Sequence, residues 1–580
     1  MRFPARLTAP LLGLALVGLA ACGDDDPVAP TVDPPLGLQV AATGSGSIRV
    51  TFNGRAIDDS YTIERAEGSG GTFATATTVD APAVDGTVTW DDTGLAVQTT
   101  YRYRVKATRG SASSSYGSEQ STTTLALGAF QKTITGDITN NTTWHRDTTY
   151  ILNGFIHVAN GATLTIEAGT TIKGDYNTVG SSLFILRGAK IMAVGTAALP
   201  IVFTSTQAPG QRRPGDWGGL IIVGNAVINR TGVEIEIEGT ATATGSTPGT
   251  NYKVTYSGGT TNTDNSGELR YVRVEYAGYA PTANAELNSF SFAAVGSGTK
   301  LSYLQSMAGL DDAFEFWGGA VDAQYLVSYE SGDDHFDMSE GYQGRLQYLI
   351  ALQAARLPAR TGLPGGPSSD PQGIENDGCD GAGCINGRNT TPFTTPVVAN
   401  FTLIGPDDLA LTGSSGGVGV LLRRGTGGYY VNGVVSRWPR GAISIRDAET
   451  YLRAGSVAAP DLNTTDLAVR NILIAESALA FQTGTGQNTF DLAANNIVQD
   501  VSATSALLTA FPGTIGATTT AAAFDWTPAA SSAAATGGLA TFSGKLATAA
   551  GTFVTPTAYR GAAAPGGTRW WLGWTVYNQQ

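Results

Sequence analysis

The sequence predicts an all-β protein, a small sandwich followed by one long β-solenoid. Three observations lead there. Only 14% of residues are charged while Gly (75) and Pro (25) abound, against roughly 25% charged in average domains, so the chain is rich in turns and poor in long solvated helices. Between Pro34 and Thr124 short runs alternate polar and apolar residues between turns, the mark of half-buried strands. Further on, a segment repeats itself at a spacing of 22 residues, about one winding of a coil whose inward side chains are buried on the next.

Composition also excludes some roles. With 35 Lys plus Arg against 48 Asp plus Glu the formal charge is −13, so no nucleic-acid partner is expected, since a duplex binder needs a basic face. After residue 22 no apolar run approaches the ~18 residues needed to span a bilayer, and a membrane channel is not expected.

Residues 1–21 read as an export signal: Arg2 and Arg6 precede an apolar stretch from Leu11 to Ala20 that ends in small residues. Leu19-Ala20-Ala21-Cys22 resembles the lipobox of bacterial lipoproteins, which implies a lipid on Cys22 and a membrane as partner through that anchor. The other reading is an ordinary signal peptide that ends near a Cys. Residues 22–33, with Asp24 to Asp26, Pro27 and Pro30, form an acidic, Pro-rich tether. Acidic residues directly after the lipidated Cys resemble a surface-export signal of some Gram-negative bacteria. The expected location is therefore the outer membrane, facing the cell surface.

Residues 34–124 form the first folded unit. Ser47-Ile-Arg-Val-Thr-Phe52, Tyr61-Thr-Ile-Glu-Arg65 and Tyr101-Arg-Tyr-Arg-Val-Lys-Ala107 alternate over a length that suits a sandwich. Leu95 followed by Tyr101 in Tyr-x-Tyr-x-Val-x-Ala resembles a fibronectin type III domain, with these two residues at that family's tyrosine corner and Phe52 where the family usually has an early Trp. No Arg-Gly-Asp appears. The unit reads as a spacer.

Residues 128–580 form the solenoid. Laid without gaps over Ala323–Gly341, Leu301–Gly319 coincides at seven of nineteen positions: Tyr303/Tyr325, Leu304/Leu326, Ser306/Ser328, Asp311/Asp333, Asp312/Asp334, Phe314/Phe336 and Gly319/Gly341. Gln347-Tyr348-Leu349 repeats the motif once more at a shift of 23. Leucine-rich repeats have a similar period but need a regular Leu and Asn pattern that is missing. Gly161–Ile166, Gly188–Ala193, Pro200–Ser205, Leu269–Glu275, Val398–Ile404, Gly428–Val435 and Val469–Ile474 fit as further coils. A Gly- and Pro-rich loop insertion runs over about 357–395, and binding usually sits in such loops. Residues 502–550 carry no assigned structure. Trp570, Trp571 and Trp574 read as an aromatic cap over the last coil, or as a sugar-stacking platform.

Ser266–Gly278, Val295–Thr299, the two Asp-Asp-x-Phe-Glu/Asp blocks and Asp216-Trp-Gly-Gly219 together resemble a family of exported bacterial right-handed parallel β-helix proteins, many of them lipoproteins without an assigned activity. The resemblance covers about 128–580 and implies a fold, not a mechanism. The family commonly reads Asp-Arg-Gly-Ile-Glu where this chain has Asp370-Pro-Gln-Gly-Ile-Glu375.

The strongest chemical signal is acidic. Residues in phase on successive parallel coils stack about 4.8 Å apart, which puts Asp312 beside Asp334 and Glu315 beside Asp337. At ~5 Å and an effective dielectric of about 20, each like-charge contact costs roughly 3 kcal/mol. Solvent, proton uptake, an Arg or a hard cation must relieve it. Calcium, with its six to eight oxygen ligands, suits Asp312, Glu315, Asp334 and Asp337, with Glu375 and Asp377 added from the next coil. The other reading has these acids capping backbone N–H groups or facing water. Cys379 and Cys384, in an oxidising compartment, are expected to form a local disulfide. So short a loop adds only about 2 kcal/mol in the entropy model, so the bond shapes the loop.

Enzyme readings meet gaps. Asn262-Thr-Asp264 and Asp311-Asp312 resemble two polygalacturonase motifs, but Gly-His-Gly and Arg-Ile-Lys are absent. A lyase needs calcium and a base near the acids. None of the seven Lys lies between Lys300 and Lys545, which leaves His335, Arg345, Arg356 or Arg360. No Zn spacing, G-x-S-x-G, P-loop or c-type haem motif is present. The sequence therefore points to a calcium-stabilised surface lipoprotein that acts by adhesion or as an envelope module, with an extracellular glycan or a surface protein as partner. A lyase or glycoside hydrolase acting on acidic extracellular polysaccharide is the alternative.

Overall fold

The computed structural model describes residues 31–240, 253–281, 285–363, 365–368, 370–455, 460–483 and 490–577. The signal peptide and Cys22 lie outside them, as does most of the 22–33 tether. The chain forms two compact units, divided between Leu125 and Ala126. Among the described residues no helix is long and apolar enough to cross a membrane.

The first unit has two antiparallel sheets. Leu36–Gly44, Ser47–Gly54 and Gly86–Thr93 make one. Ala74–Asp80, Ser60–Glu67, Thr100–Arg109, Ala112–Ser113 and Gln120–Thr123 make the other. Alternation works as expected: Ile48, Val50 and Phe52 meet Tyr61, Ile63, Tyr103 and Val105 in one buried cluster. Buried Leu95 is followed by Ala96, whose N–H donates to the Tyr101 hydroxyl at 3.0 Å. Phe52 packs edge-on against Tyr61 at 4.9 Å, and half-buried Trp90 packs against the same cluster.

The second unit is a parallel β-helix with one 17-stranded and one 9-stranded sheet. Leu301 pairs with Ala323 and Ala323 with Leu346, steps of 22 and 23 residues. Those are the shifts at which the sequence repeats. Inside, Phe290, Phe314, Phe336 and Ile374 stack in register, as do Leu304, Leu326, Leu349 and Phe401.

The long strands of the larger sheet bend at a position that periodicity does not reveal. Tyr271, Tyr303, Tyr325 and Tyr348 have φ between +51° and +65°, and the register skips them. Left-handed backbone costs a side-chain-bearing residue roughly 1–2 kcal/mol. Stacking offsets part of it, since the four rings lie 4.4, 4.4 and 5.0 Å apart in sequence order.

The C-terminal aromatics are not a cap over the last coil. Trp574 packs edge-on against Tyr271 and Tyr303, and Trp570 against Tyr303 and Tyr325, several coils earlier. The reason is the outer face of these coils, where Met307, Val327, Tyr329, Ile350 and Leu352 need cover. The tail is pinned by side chains: Gln305 exchanges two hydrogen bonds with the backbone of Val576, and Gln347 does the same with Thr555. Parts of 502–550 belong to this cover, with Leu507, Leu508, Phe511, Phe524 and Trp526 in the same buried cluster.

Candidate functional site

The acidic residues sit on the outer face of the smaller sheet. Strands Phe290–Ala293, Phe314–Trp317, Phe336–Ser339 and Ile374–Asp377 turn Phe290, Phe292, Phe314, Phe316, Phe336, Met338 and Ile374 inward, so the residues between them project outward. Register then stacks Ser291, Glu315, Asp337 and Glu375 in one column. In the preceding turn Asp311-Asp312 lies over Asp333-Asp334. Gly332 permits this stacking, because a Cβ there would sit 1.8 Å from the Leu310 carbonyl oxygen.

A side-chain-to-backbone ladder runs along the turns. Asp312 N–H donates to Asn288 Oδ1 at 3.1 Å, Asp334 N–H to Asp312 Oδ1 at 2.8 Å and Val418 N–H to Gln372 Oε1 at 2.8 Å. Between the last two, Gln372 N–H donates to Asp334 Oδ1. The backbone-capping reading of the acids thus holds for one oxygen of Asp312 and one of Asp334. Asn288 also donates to Glu315.

Capping does not use up the charge. Four overlapping groups of three carboxylates have ligand atoms within 4.8 Å of one another: Glu238, Glu286 and Asp311; Asp311, Asp312 and Asp333; Asp312, Glu315 and Asp337; Asp334, Asp337 and Glu375. Asp311, Asp312, Glu315, Asp334 and Glu375 are each at most 6% exposed. Burial first, and neighbouring carboxylates second, hold these five well above the ordinary carboxylate range. Asp333 is pushed up to about 7, Asp337 and Glu238 to about 8, by the same causes.

Of the six expected calcium ligands, five converge and one does not. Asp377 is held by Arg423 Nε at 2.9 Å and Arg424 Nη1 at 2.7 Å, so both its oxygens are engaged. Arg423 also pairs with Glu375, and with Asp370 at 3.5 Å. Arg423 was not legible as a partner because 46 residues separate it from Asp377 and the insertion breaks the repeat. Asp311 and Asp333 coincide at the 22-residue shift and could have been read as ligands. Glu238 and Glu286 come from loops outside the repeat and carry no such signal.

None of the suggested bases reaches the acids. His335 is buried in the interior, its Nδ1 2.6 Å from Ser328 Oγ and its ring edge-on to Trp438. Burial pushes its pKa down to about 3. Arg345 forms a two-pronged pair with Asp322, with its Nε at 2.8 Å from Oδ1. Arg360 lies 3.9 Å over the Tyr176 ring and donates to the Asp216 carbonyl. Arg356 donates to the carbonyls of Pro367 and Ser368. Each is taken up by packing or by a local partner.

The disulfide joins Cys379 and Cys384 with Cα atoms 5.8 Å apart. Its loop clasps a neighbouring segment: Thr231 N–H donates to the Gly383 carbonyl at 2.9 Å, and Arg230 Nε to that of Ala382 at 2.7 Å.

A family described as a pectate-lyase-like β-helix domain matches residues 136–529. The chain belongs to this family. Among curated proteins none matches. The chain is similar to a family 28 exopolygalacturonase of Yersinia enterocolitica at 12% identity, covering 81% of this chain and 84% of that one with a TM-score of 0.16. It is also similar to an Fn3-like protein of Clostridium thermocellum at 27% identity, covering 17% of this chain and 93% of that one with a TM-score of 0.14. For an FN3 domain of human collagen XX the figures are 25%, 17%, 98% and 0.14. At such TM-scores these structural likenesses carry no argument.

Proposed function

We propose that this protein is an exported lipoprotein, anchored at Cys22 and displayed at the cell surface, whose β-helix binds an acidic extracellular polysaccharide and is stiffened by Ca2+. A fibronectin type III-like unit is the link between anchor and β-helix on this reading; the buried Tyr101 hydroxyl accepting from Ala96 N–H after Leu95 supports that assignment. Membership of a pectate-lyase-like family supports a polysaccharide as ligand.

One observation carries the role of calcium: the stack of buried carboxylates that Arg423 offsets only at its Glu375 end. Every donor is oxygen, the set that hard cations take and that zinc or copper sites rarely use. Glu238, Asp333 and Asp337 are the stack's half-buried members, and the other six are enclosed. The enclosed majority fits an ion that fixes the coils.

A second reading is a lyase, and Arg423 favours it as the guanidinium touching the acids. The neighbouring carboxylates raise its pKa, which opposes a base role until a cation neutralises them.

The test uses the full chain with Cys22→Ser to keep it lipid-free. Polygalacturonate and alginate are offered with calcium or with chelator, reading retention, unsaturated product and melting temperature together. Calcium-dependent retention without product is the expected result. Product formation replaces binding by the lyase, and chelator-insensitive melting with no retention overturns the proposal.

A further inference from the structure

The four carboxylate groups are not separate. Asp311 belongs to the first and second, Asp312 to the second and third, Asp337 to the third and fourth. Shared carboxylates are what bridge neighbouring ions in a chain of hard-cation sites. Nine carboxylates take part, and Arg423 reaches only Glu375 among them.

A second observation, independent of the acid count, points to a bound ion. Oδ1 of Asp333 and Oδ1 of Asp337 are shielded from water and have no hydrogen-bond partner. Ser291 is fully buried, lies in register beside Glu315 on the outward column, and its Oγ also lacks a partner. Unmet buried polar atoms are rare in folded proteins and mark an ion or water they would bind.

The outermost group is built differently from the rest. Asp311 comes from a coil, whereas Glu286 precedes the Phe290–Ala293 strand and Glu238 follows the short strand Ile235–Glu236, which pairs with Thr255–Tyr256. That hairpin packs on the outer face through Ile237, Val254 and Tyr256, beside Phe184, Ile221 and Trp317.

We propose that the acidic trough holds at least two divalent cations bridged by shared carboxylates, the outer one closed by Glu238, Glu286 and Asp311, so that cation binding staples the hairpin and the 285–288 loop onto the coils. The inference rests on the calcium reading above and adds the number of ions and the staple. The outer ion sits at the junction of three chain segments, so its loss frees the loops while the inner ion keeps the coils in register.

The experiment measures calcium bound by the chelator-stripped full chain at pH 8, by calorimetry and by metal analysis after dialysis. It is paired with hydrogen exchange over 231–240 and 311–317. The wild type is expected to take two or more equivalents. Glu238→Gln with Glu286→Gln should lose at least one equivalent and the calcium-induced protection of 231–240, while protection of 311–317 persists. Gln is isosteric and relieves repulsion, so folding is retained. Asp311→Asn is the second variant and should lose the same equivalent. A single equivalent in the wild type overturns the array but leaves the calcium reading standing. No bound calcium overturns both. Unchanged stoichiometry in both variants overturns the outer site.

Discussion

Asp334 N–H donates to Asp312 Oδ1 at 2.8 Å across the gap between two successive coils. One oxygen of each acid in the ladder is thus spent on the next coil's backbone, and the other is left to take a proton or a cation. The two functions can be separated by substitution. Asp312→Asn keeps an acceptor and removes a charge, so it should leave the melting temperature in chelator unchanged or raised while weakening calcium binding tenfold or more. Asp312→Ala strands a buried N–H and should cost about 1–3 kcal/mol in chelator. Thermal melts with and without calcium distinguish the two.

Stability should depend on pH in a direction opposite to ordinary acid denaturation. Asp337 and Glu238 rise to about 8 and Asp333 to about 7 in the folded chain. Raised carboxyl groups hold protons that the unfolded chain releases, so their contribution is full below about 4 and lost as pH climbs to about 8. His335 acts in the other sense, since its folded pKa of about 3 penalises folding below the unfolded value of about 6.5, but it is one group against many. Melts in chelator should therefore fall from pH 5.5 to pH 8.5. Calcium should flatten or reverse that slope, because it displaces the protons. A chelator melt that rises with pH across this range counts against the cluster.

Arg423→Gln leaves the buried Glu375 and Asp377 short of their half-buried partner. Removing one member of such a pair typically costs 3–5 kcal/mol. The loss should be largest at pH 8 in chelator and smaller with calcium, which substitutes for the missing charge. Equal losses in both conditions would mean that no cation approaches Glu375.

His335→Asn tests the interior role of that residue. It breaks the contact with Ser328 Oγ and should destabilise the protein by about 1–3 kcal/mol. Polysaccharide retention per folded molecule should stay within twofold of wild type. A selective loss of binding or turnover at unchanged stability would restore His335 to the site.

Trp574→Ala removes a buried ring from the tail that covers Tyr271 and Tyr303. A cost of about 3–5 kcal/mol is expected. Binding of a hydrophobic dye should increase as the face around Met307 and Tyr329 is uncovered, with calcium stoichiometry unchanged.

Much of this architecture was legible in residue order. A parallel coil repeats its contacts at a nearly constant spacing, so the 22-residue echo of Leu301–Gly319 in Ala323–Gly341 already set which acids share a level, and alternation set that Glu315 and Asp337 face outward while Phe314 and Phe336 face in. The close pair Cys379 and Cys384 was equally readable, since a short loop leaves it little choice of geometry.

What only tertiary structure decided concerns segments without that periodicity. Glu238 and Glu286 reach the trough from loops, Arg423 arrives across an insertion of irregular length, and His335 turns inward to Ser328 rather than outward with Asp337. The tail runs back over early coils because their outer face is apolar, a demand set by packing partners far away in the chain. Local pattern determines what each coil turns outward; where a non-repeating segment lands depends on burial and charge summed over the whole folded surface, which no stretch of residues carries by itself.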